Sequence, residues 1–168
     1  MNEIQRTTVE SPIGTLVLEA DDESLLGIRL PGSGSSRLPA GSRTRGRTVA
    51  KPANGPLSAT ERQLEEYFAG RRRRFDLPFT LSGTDFQRDV WRSLADIPYG
   101  EVVSYAELAE MVGRPTAFRA VGQANGANPI PIVLPCHRVV ASGGHIGGYG
   151  GGLPMKRRLL ALEGVAGL

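Results

Sequence analysis

The pattern of apolar residues changes along the chain, and this change constrains the fold more than any other sequence feature. In the first thirty residues, short runs of strand-forming residues alternate with turn-forming residues, as in antiparallel sheets. The runs at 7–10, 15–20 and 25–30 predict a three-stranded meander. From Phe86 onward, apolar residues recur at helical spacing. The fold class is therefore predicted to be α/β (α+β), with a small antiparallel sheet-and-helix domain at 1–80 and a mostly helical C-terminal domain at 83–168.

Composition excludes several classes of protein. A hydrophobic content of 40% over 168 residues is sufficient for an ordinary core and excludes a disordered chain. No apolar run reaches the roughly 20 residues that cross a bilayer, and the N-terminus lacks a signal-peptide pattern, so we expect a cytoplasmic protein with no membrane partner. The single cysteine excludes an internal disulfide and a multi-cysteine zinc cluster, so no metal is expected. The net charge of +3 suits an anionic partner without identifying one.

The N-terminal domain is predicted to contain one helix and one long loop. Ser58 followed by Glu61 is a capping-box pattern, which predicts a helix from Ser58 to Ala69 that ends at Gly70. Residues 31–56 consist largely of Gly, Ser, Arg and Pro, which predicts a mobile loop or linker. Its arginines either remain in solvent or contact a phosphate backbone.

The C-terminal domain is predicted to begin with two capped helices. The first has an apolar stripe that starts at Phe86 and includes Trp91, which we assign to the core; it is capped by Thr84 or Asp85. Ser104 is the predicted cap of the second helix, at 105–112. Three residues of this second helix are predicted to face inward. They are Leu108, Met111 and Val112.

A third helix is predicted at 116–125, within three or four residues of the second. Two short helices joined by a tight glycine-containing turn form a helix-turn-helix pattern. This third helix is built mainly from small residues, and Arg119 is its one long cation. The small residues are Ala117, Ala120, Gly122, Ala124 and Gly126. Such a slim surface fits either a closely packed core or a DNA groove into which Arg119 extends.

The most informative segment surrounds the only cysteine, Cys136. Three prolines within seven residues restrict the backbone before it, and the apolar run 132–134 predicts that it is buried. A buried cysteine is normally inert because burial raises its pKa, but a neighbouring base such as His137 makes a thiolate available. Beyond it, the glycine-rich loop 143–152 can close over a flat ligand, with Tyr149 as its stacking or hydrogen-bonding side chain. The residues alone leave open whether the cysteine is reactive or structural.

Pro135-Cys136-His137-Arg138, with Asn128-Pro129 upstream, resembles the active-site motif of the O6-alkylguanine-DNA alkyltransferases, also called methylated-DNA–protein-cysteine methyltransferases. The match covers residues 83–164, whereas the first eighty residues match only in outline. Further motifs occur in the order and spacing of that family. They are Pro98-Tyr99-Gly100, Ser104-Tyr105, Arg119-Ala120-Val121-Gly122, Tyr149 with Gly151-Gly152-Leu153, and Glu163-Gly164. The resemblance implies that the N-terminal domain is ribonuclease H-like.

The resemblance implies direct-reversal DNA repair, in which Cys136 irreversibly accepts the alkyl group of O6-alkylguanine, or of O4-alkylthymine, once per molecule. His137 would deprotonate the thiol through a water molecule, and Glu163 would orient His137. Asn128 would brace the turn, and Tyr105 would protonate the departing guanine. These roles fit the chemistry, because a thiolate is a strong nucleophile for an alkyl carbon and a carboxylate fixes the tautomer of a histidine base. No cofactor is implied.

The resemblance also implies double-stranded DNA as the partner, bound through the minor groove by a monomer, with cooperative binding left open. The damaged base would rotate out of the helix, and Arg119 would fill the vacated space. Five further residues would contact DNA: Ala117, Ala120, Ser104, Gly122 and Arg138. The purine would be bound by Tyr105, Cys136, Val139, Tyr149 and Gly150. Several relatives carry serine where this chain has Gly150, so a hydroxyl contact there would be replaced by a backbone N–H or lost.

Three alternatives have different consequences. An alkyltransferase-like protein binds damaged DNA but transfers nothing; such proteins lack the cysteine that this chain carries. A plain helix-turn-helix regulator would need side chains that discriminate base edges, and the slim helix has few. A cysteine hydrolase would turn over repeatedly, but adjacent residues such as Cys136 and His137 rarely place an imidazole for direct proton abstraction.

Overall fold

The computed structural model describes residues 3–32 and 55–168. The chain divides into two compact units, Met1–Ser82 and Gly83–Leu168, which are described separately below. Most of the predicted loop at 31–56 lies outside the described residues, and so does its possible contact with phosphate. Across the described part of the chain, no helix has both the length and the apolar character needed to span a membrane.

The N-terminal unit is an antiparallel meander covered by one helix. Strands β1 (Gln5–Ser11), β2 (Gly14–Ala20) and β3 (Leu25–Arg29) pair in sequence order, which confirms the predicted meander. Helix α1 (Pro56–Phe68) packs on the sheet. Alternate residues of β2 face the helix because strand side chains alternate between the two faces. The core of this unit includes Leu16, Leu18, Ala20, Leu64 and Tyr67, all fully buried.

The predicted capping box of α1 is wrong. The helix begins two residues earlier, at Pro56, after Gly55, and no side chain caps it. Proline is favoured in the first helical turn because its fixed φ suits the helix and it lacks the N–H that would remain unsatisfied there. Ser58 therefore already lies inside the helix. The C-terminal end agrees with the prediction, since Gly70 adopts a positive φ of 74° after the last helical turn.

The C-terminal unit is mostly helical. Its elements are α2 (Asp85–Leu94), β4 (Val103–Ser104), α3 (Tyr105–Met111), α4 (Phe118–Gly126), β5 (Val139–Val140) and α5 (Leu153–Leu162). Helix α4 packs against both α2 and α3. Trp91 is in the core as predicted, with 2% of its surface exposed, and its indole N–H donates to the carbonyl of Ala124 at 2.7 Å. This bond fixes α2 against the end of α4.

Local capping signals in this unit are confirmed. Thr84 caps α2 and Ser104 caps α3, each in a reciprocal capping box. One inward residue was predicted wrongly, because Met111 is 41% exposed while Ala109 is fully buried beside Leu108. The buried face of α3 is centred between residues 108 and 109, so Met111 lies to its side. The connection to α4 is also longer than predicted, spanning residues 112–117.

Two elements that position the site were not predicted. Strands β4 and β5 form a short parallel pair, with Val103 opposite Val139 and Ser104 opposite Val140. This pair places the one-turn 3₁₀ helix Cys136–Arg138, which immediately precedes β5, close to the start of α3. Helix α5 then follows the glycine-rich loop and ends directly before Glu163.

Candidate active site

The backbone that leads to Cys136 is tightly constrained. Pro135 adopts φ −81° and ψ 68°, and the N–H of Cys136 donates to the carbonyl of Leu134 at 2.8 Å, which together form an inverse γ-turn. Ile132 has a φ of +75°, a left-handed conformation that is rare for a β-branched residue and costs about 1–3 kcal/mol. Its side chain is 1% exposed, so packing holds the strained backbone in place.

Asn128 holds this turn from both sides. Its side-chain N–H donates to the carbonyl of Leu134 at 2.7 Å, and its Oδ1 accepts from the N–H of Ile130 at 3.0 Å. A second asparagine, Asn125 at the end of α4, donates to the carbonyl of Cys136 at 3.4 Å. Asn128 therefore contacts both ends of the turn that it is predicted to brace.

Cys136 is 7% exposed, and its surroundings affect the thiol in opposite directions. Burial, the largest effect, raises the pKa of Cys136. Hydrogen bonds from the side chains of Asn128 and Tyr149, together with the positive charge of Lys156, lower that pKa. Because burial prevails, the thiol is protonated at rest and requires a base. The polar partners then favour the thiolate once it forms.

A histidine–carboxylate pair lies beside the cysteine. His137 Nε2 and Glu163 Oε2 are 2.5 Å apart, and both side chains are fully buried. Burial lowers the pKa of His137 despite the opposing effect of Glu163, so the ring is neutral at neutral pH. With Nε2 donating to the carboxylate, Nδ1 is the basic nitrogen. Within residues 3–32 and 55–168, Nδ1 has no hydrogen-bond partner.

Arg138 does not fit the predicted contact with DNA, because it is 6% exposed and its guanidinium is engaged inside the unit. Nε donates to Glu163 Oε1 at 2.7 Å, Nη2 to Glu163 Oε2 at 3.2 Å, and Nη1 to the carbonyl of Ile97 at 2.6 Å. The planar guanidinium therefore binds the carboxylate through two nitrogens. Arg138 holds the carboxylate of Glu163 oriented toward His137.

The turn at residues 98–100 also contacts Glu163. The N–H of Gly100 donates to Glu163 Oε1 at 3.2 Å, and the Tyr99 hydroxyl donates to the carbonyl of Leu162 at 3.2 Å. Gly100 has a φ of +80°, and a Cβ there would lie 3.0 Å from the Glu163 carbonyl oxygen. Glycine is therefore required for this close approach.

Lys156 is a buried residue of the site that the sequence did not predict. It is fully buried on α5, and Nζ donates to the carbonyls of Val139 and Ile146, each at 2.6 Å, and of Gly148 at 3.0 Å. Burial lowers the pKa of Lys156 to about 8, and the negative charge of an ionised Cys136 opposes this. The carbonyl of Val139, predicted to bind the purine, already accepts from this ammonium. Its burial could have been predicted from helical spacing, because Lys156 shares a face of the helix with the buried residues Leu159, Leu160 and Glu163.

Tyr105 lies between the cysteine and the glycine-rich loop. Its hydroxyl bonds to the backbone of Gly148, and a Cβ on Gly147 would lie 3.1 Å from that oxygen. Burial is the main cause that raises the pKa of Tyr105, and the charge of Cys136 also raises it, so the hydroxyl stays protonated. Gly150 is exposed, and a Cβ there would have no neighbour within 4 Å.

Helix α4 carries three of the residues predicted to bind DNA. Arg119 and Ala120 are exposed, and Gly122 is half-buried, where a Cβ would lie 3.6 Å from the ring of Tyr105. Ala117 immediately precedes the helix. Ser104 is half-buried, and its hydroxyl accepts from the N–H of Glu107 at 3.0 Å. Tyr105 thus connects the α4 surface with Cys136, whereas Ser104 acts first as a helix cap.

Comparisons with known proteins match both units of the chain. A family model described as 6-O-methylguanine DNA methyltransferase, ribonuclease-like domain, matches residues 4–81, and one described as the DNA binding domain of the same protein matches residues 85–165. A methylated-DNA–protein-cysteine methyltransferase of Mycobacterium tuberculosis is 46% identical over 160 residues, covering 95% of this chain and 92% of that protein. The constitutive methyltransferase of Bacillus subtilis is 40% identical over 161 residues and 95% of each chain.

The solved structures agree with these matches. A crystal structure of Mycobacterium tuberculosis OGT in complex with DNA has a TM-score of 0.82 and 44% sequence identity to this chain. The match covers 96% of this chain and 92% of the chain in that crystal structure. The similarity therefore extends through both units and includes the segment around Cys136.

Proposed function

Since this chain belongs to the O6-methylguanine DNA methyltransferase family, we propose that Cys136 is the residue to which it transfers the alkyl group. The protein acts in direct-reversal DNA repair as a methylated-DNA–protein-cysteine methyltransferase, and its partner is DNA. The observation that supports the assignment to Cys136 is the buried His137–Glu163 pair, 2.5 Å apart, directly beside the only cysteine of the sequence.

The reaction needs a base, a nucleophile and a proton donor. His137 Nδ1 takes the thiol proton of Cys136 through a water molecule, and Glu163 stabilises the resulting imidazolium. The thiolate attacks the alkyl carbon, forming an S–C bond while the bond from that carbon to guanine O6 breaks. The electron pair of the broken bond stays with guanine. Tyr105 donates a proton to guanine, and the resulting tyrosinate regains a proton from the imidazolium of His137 through water, so both side chains end neutral.

The charges around the cysteine favour this step. Arg138 and Lys156 are buried cations, and Glu163 is a buried carboxylate, so these three residues carry a net positive charge. A thiolate at Cys136 is attracted to this positive charge in a region of low dielectric constant, where charge interactions are strong. The product is a thioether, which no described neighbour is placed to hydrolyse, so each molecule reacts once.

The damaged base becomes accessible only when it leaves the duplex. We infer that α4 lies in the minor groove and that Arg119 fills the space of the rotated nucleotide, while the base approaches Cys136 past Tyr105. Small side chains such as Ala120 and Gly122 permit this close approach. Because relatives such as those of Methanosarcina barkeri and Bacillus subtilis come from cells in which DNA lies in the cytoplasm, we also propose a cytoplasmic location.

Mass spectrometry tests the proposal directly. After incubation with a duplex that contains O6-methylguanine, the intact protein is expected to gain the mass of one methyl group, and the peptide that contains Cys136 is expected to carry it. A duplex with unmodified guanine is the control. Tight binding to the methylated duplex without an adduct would instead identify an alkyltransferase-like recognition protein. A methyl group on any other residue would remove Cys136 from the proposed mechanism.

The acid dependence of transfer follows from His137. Its pKa is lowered by burial below the ordinary 6.5, so the neutral base persists as the pH falls through 6.5. The single-turnover transfer rate is therefore expected to stay level through pH 6.5 and to decline only below it, when the ring becomes protonated. Quenched-flow measurements at constant ionic strength would record this profile. A decline centred at or above pH 6.5 would show that His137 is not the neutral base proposed here.

A further inference from the structure

A large aromatic side chain interrupts the slim surface of α4. Phe118 is the first residue of the helix and is 49% exposed, although neighbouring outward positions are occupied by small residues such as Ala120 and Gly122. Isolated exposed apolar residues are common in soluble proteins and need no explanation by themselves. The position of Phe118 is more specific, because it directly precedes Arg119 and borders the same depression of the surface.

That depression is open and has a volume of about 480 Å³. Five residues line it: Tyr105, Phe118, Arg119, Gly122 and Gln123. Its volume falls within the roughly 300–1,000 Å³ typical of ligand pockets, although it is much shallower than an enclosed site. Its lining combines two aromatic side chains with one cationic and one polar side chain. This combination suits nucleic acid, which presents flat apolar bases beside phosphates.

The helical geometry separates the two long side chains. Adjacent helix positions differ in direction by about 100°, so Phe118 and Arg119 cannot occupy the same space, whereas residues four apart share a face. Phe118 and Gly122 therefore share a face, and the ring of Tyr105 packs against Gly122, 3.6 Å from the position of a Cβ there. The surface therefore runs from the ring of Phe118 across Gly122 to the ring of Tyr105, which lies near Cys136.

We propose that Phe118 is a second DNA-contacting wedge beside Arg119, a positioning residue that keeps the duplex open during alkyl transfer. This inference rests on the proposed function, since it assumes a rotated base. The ring enters the minor groove and packs against the base next to the rotated nucleotide, while Arg119 occupies the vacated space. Apolar side chains inserted between base steps unstack and bend DNA in other minor-groove proteins. The contact slows the return of the damaged base to the helix.

The test compares variants on two substrates. Phe118→Ala is expected to slow single-turnover transfer from a methylated duplex by about tenfold. This factor corresponds to about 1.4 kcal/mol, near the lower end of the free energy lost when an aromatic residue that stacks on a base is replaced by alanine. Its reaction with free O6-methylguanine should match that of the unmodified protein, because that substrate needs no unstacking. Phe118→Leu should give an intermediate rate. Arg119→Ala provides the comparison for loss of the proposed first wedge.

Met111→Ala is the matched control, since Met111 is also a partly exposed apolar residue, 41% exposed, on the neighbouring helix but outside the depression. Equal duplex rates for the Phe118→Ala and Met111→Ala proteins would overturn the inference. So would equal slowing of Phe118→Ala on duplex and free base, since Phe118 would then act on the site itself. If the unmodified protein forms no Cys136 adduct at all, the proposed function fails. Failure of the proposed function is thereby distinguished from failure of the inference about Phe118.

A fluorescent adenine analogue placed beside the lesion gives an independent readout. Unstacking raises its emission, so binding of the unmodified protein is expected to increase fluorescence, and Phe118→Ala to reduce that increase. Transfer is blocked for this measurement by using the Cys136→Ser background for every variant. An unchanged emission increase in the Phe118→Ala protein would contradict the contact between the ring and the adjacent base.

Discussion

Replacing Cys136 with serine is expected to abolish alkyl transfer while leaving binding to methylated DNA intact. The serine hydroxyl is far less acidic than a thiol, so the His137 relay leaves it protonated, and it is a weak nucleophile toward an alkyl carbon. Serine fits the same volume and retains oxygen as a hydrogen-bond partner for Asn128 and Tyr149. The fold should therefore survive, since the change adds no bulk to the constrained turn.

Three measurements on this variant separate chemistry from binding. Transfer is followed by the loss of radiolabelled methyl from duplex DNA, binding by fluorescence anisotropy on the same duplex, and stability by thermal unfolding. The expected result is no detectable transfer, with affinity and melting temperature close to those of the unmodified protein. Measurable transfer by the serine variant would exclude Cys136 as the acceptor. Simultaneous loss of binding would indicate that the sulfur also contributes to recognition.

Features that depend on neighbouring residues could be predicted from the sequence. The meander was predictable because strand-forming and turn-forming runs alternate along β1 to β3. The cap at Ser104 was predictable because it involves residues only three positions apart. The pairing of β4 with β5 was not, because two-residue strands carry no periodicity and their contact joins distant segments. The motif around Cys136 indicates a family because it is a contiguous run of residues and needs no knowledge of contacts.

The buried charges of the site could not be assigned from sequence alone. Arg138 resembled a DNA contact because cations near a DNA-binding motif often bind phosphate, but in the fold its guanidinium binds Glu163 and the carbonyl of Ile97. Lys156 lies in a helix with other basic residues at its exposed positions, which conceals its inward direction. The partner of His137 lies 26 residues away, so only the family resemblance placed Glu163 there before the structure did.

The second large effect is expected from Glu163→Gln, which keeps the shape of the side chain and removes its charge. The carboxylate accepts from three donors: His137 Nε2 at 2.5 Å, Arg138 at 2.7 and 3.2 Å, and the N–H of Gly100 at 3.2 Å. An amide offers one oxygen and one N–H₂ group. If the amide nitrogen faces Arg138, the N–H groups of the amide and of the guanidinium oppose each other. If the amide nitrogen faces His137, the ring must accept at Nε2 and hold its proton at Nδ1.

Either arrangement impairs the proposed base. In both, the guanidinium of Arg138 loses its counter-charge while buried, and breaking a buried ion pair in this way costs about 3–5 kcal/mol of stability. In the first, the imidazolium of His137 also loses the carboxylate that stabilises it. In the second, Nδ1 already carries a proton and cannot accept one from Cys136. We therefore expect transfer to slow by about 100-fold or more, as when the carboxylate that orients a histidine base is replaced by its amide. Quenched-flow transfer rates and urea unfolding measure the two effects separately, and nitrogen NMR of the ring reports the tautomer.

Glu66→Gln is the matched control for this change, because Glu66 also binds two arginines, Arg62 and Arg72, but on the surface of the N-terminal unit. Surface ion pairs contribute only about 0–1 kcal/mol, so its stability should change little and its transfer rate not at all. A Glu163→Gln protein that unfolds more readily but transfers at the normal rate would limit the carboxylate to a structural role. A protein with normal stability and an altered tautomer, but unchanged transfer, would show that Cys136 loses its proton by another route.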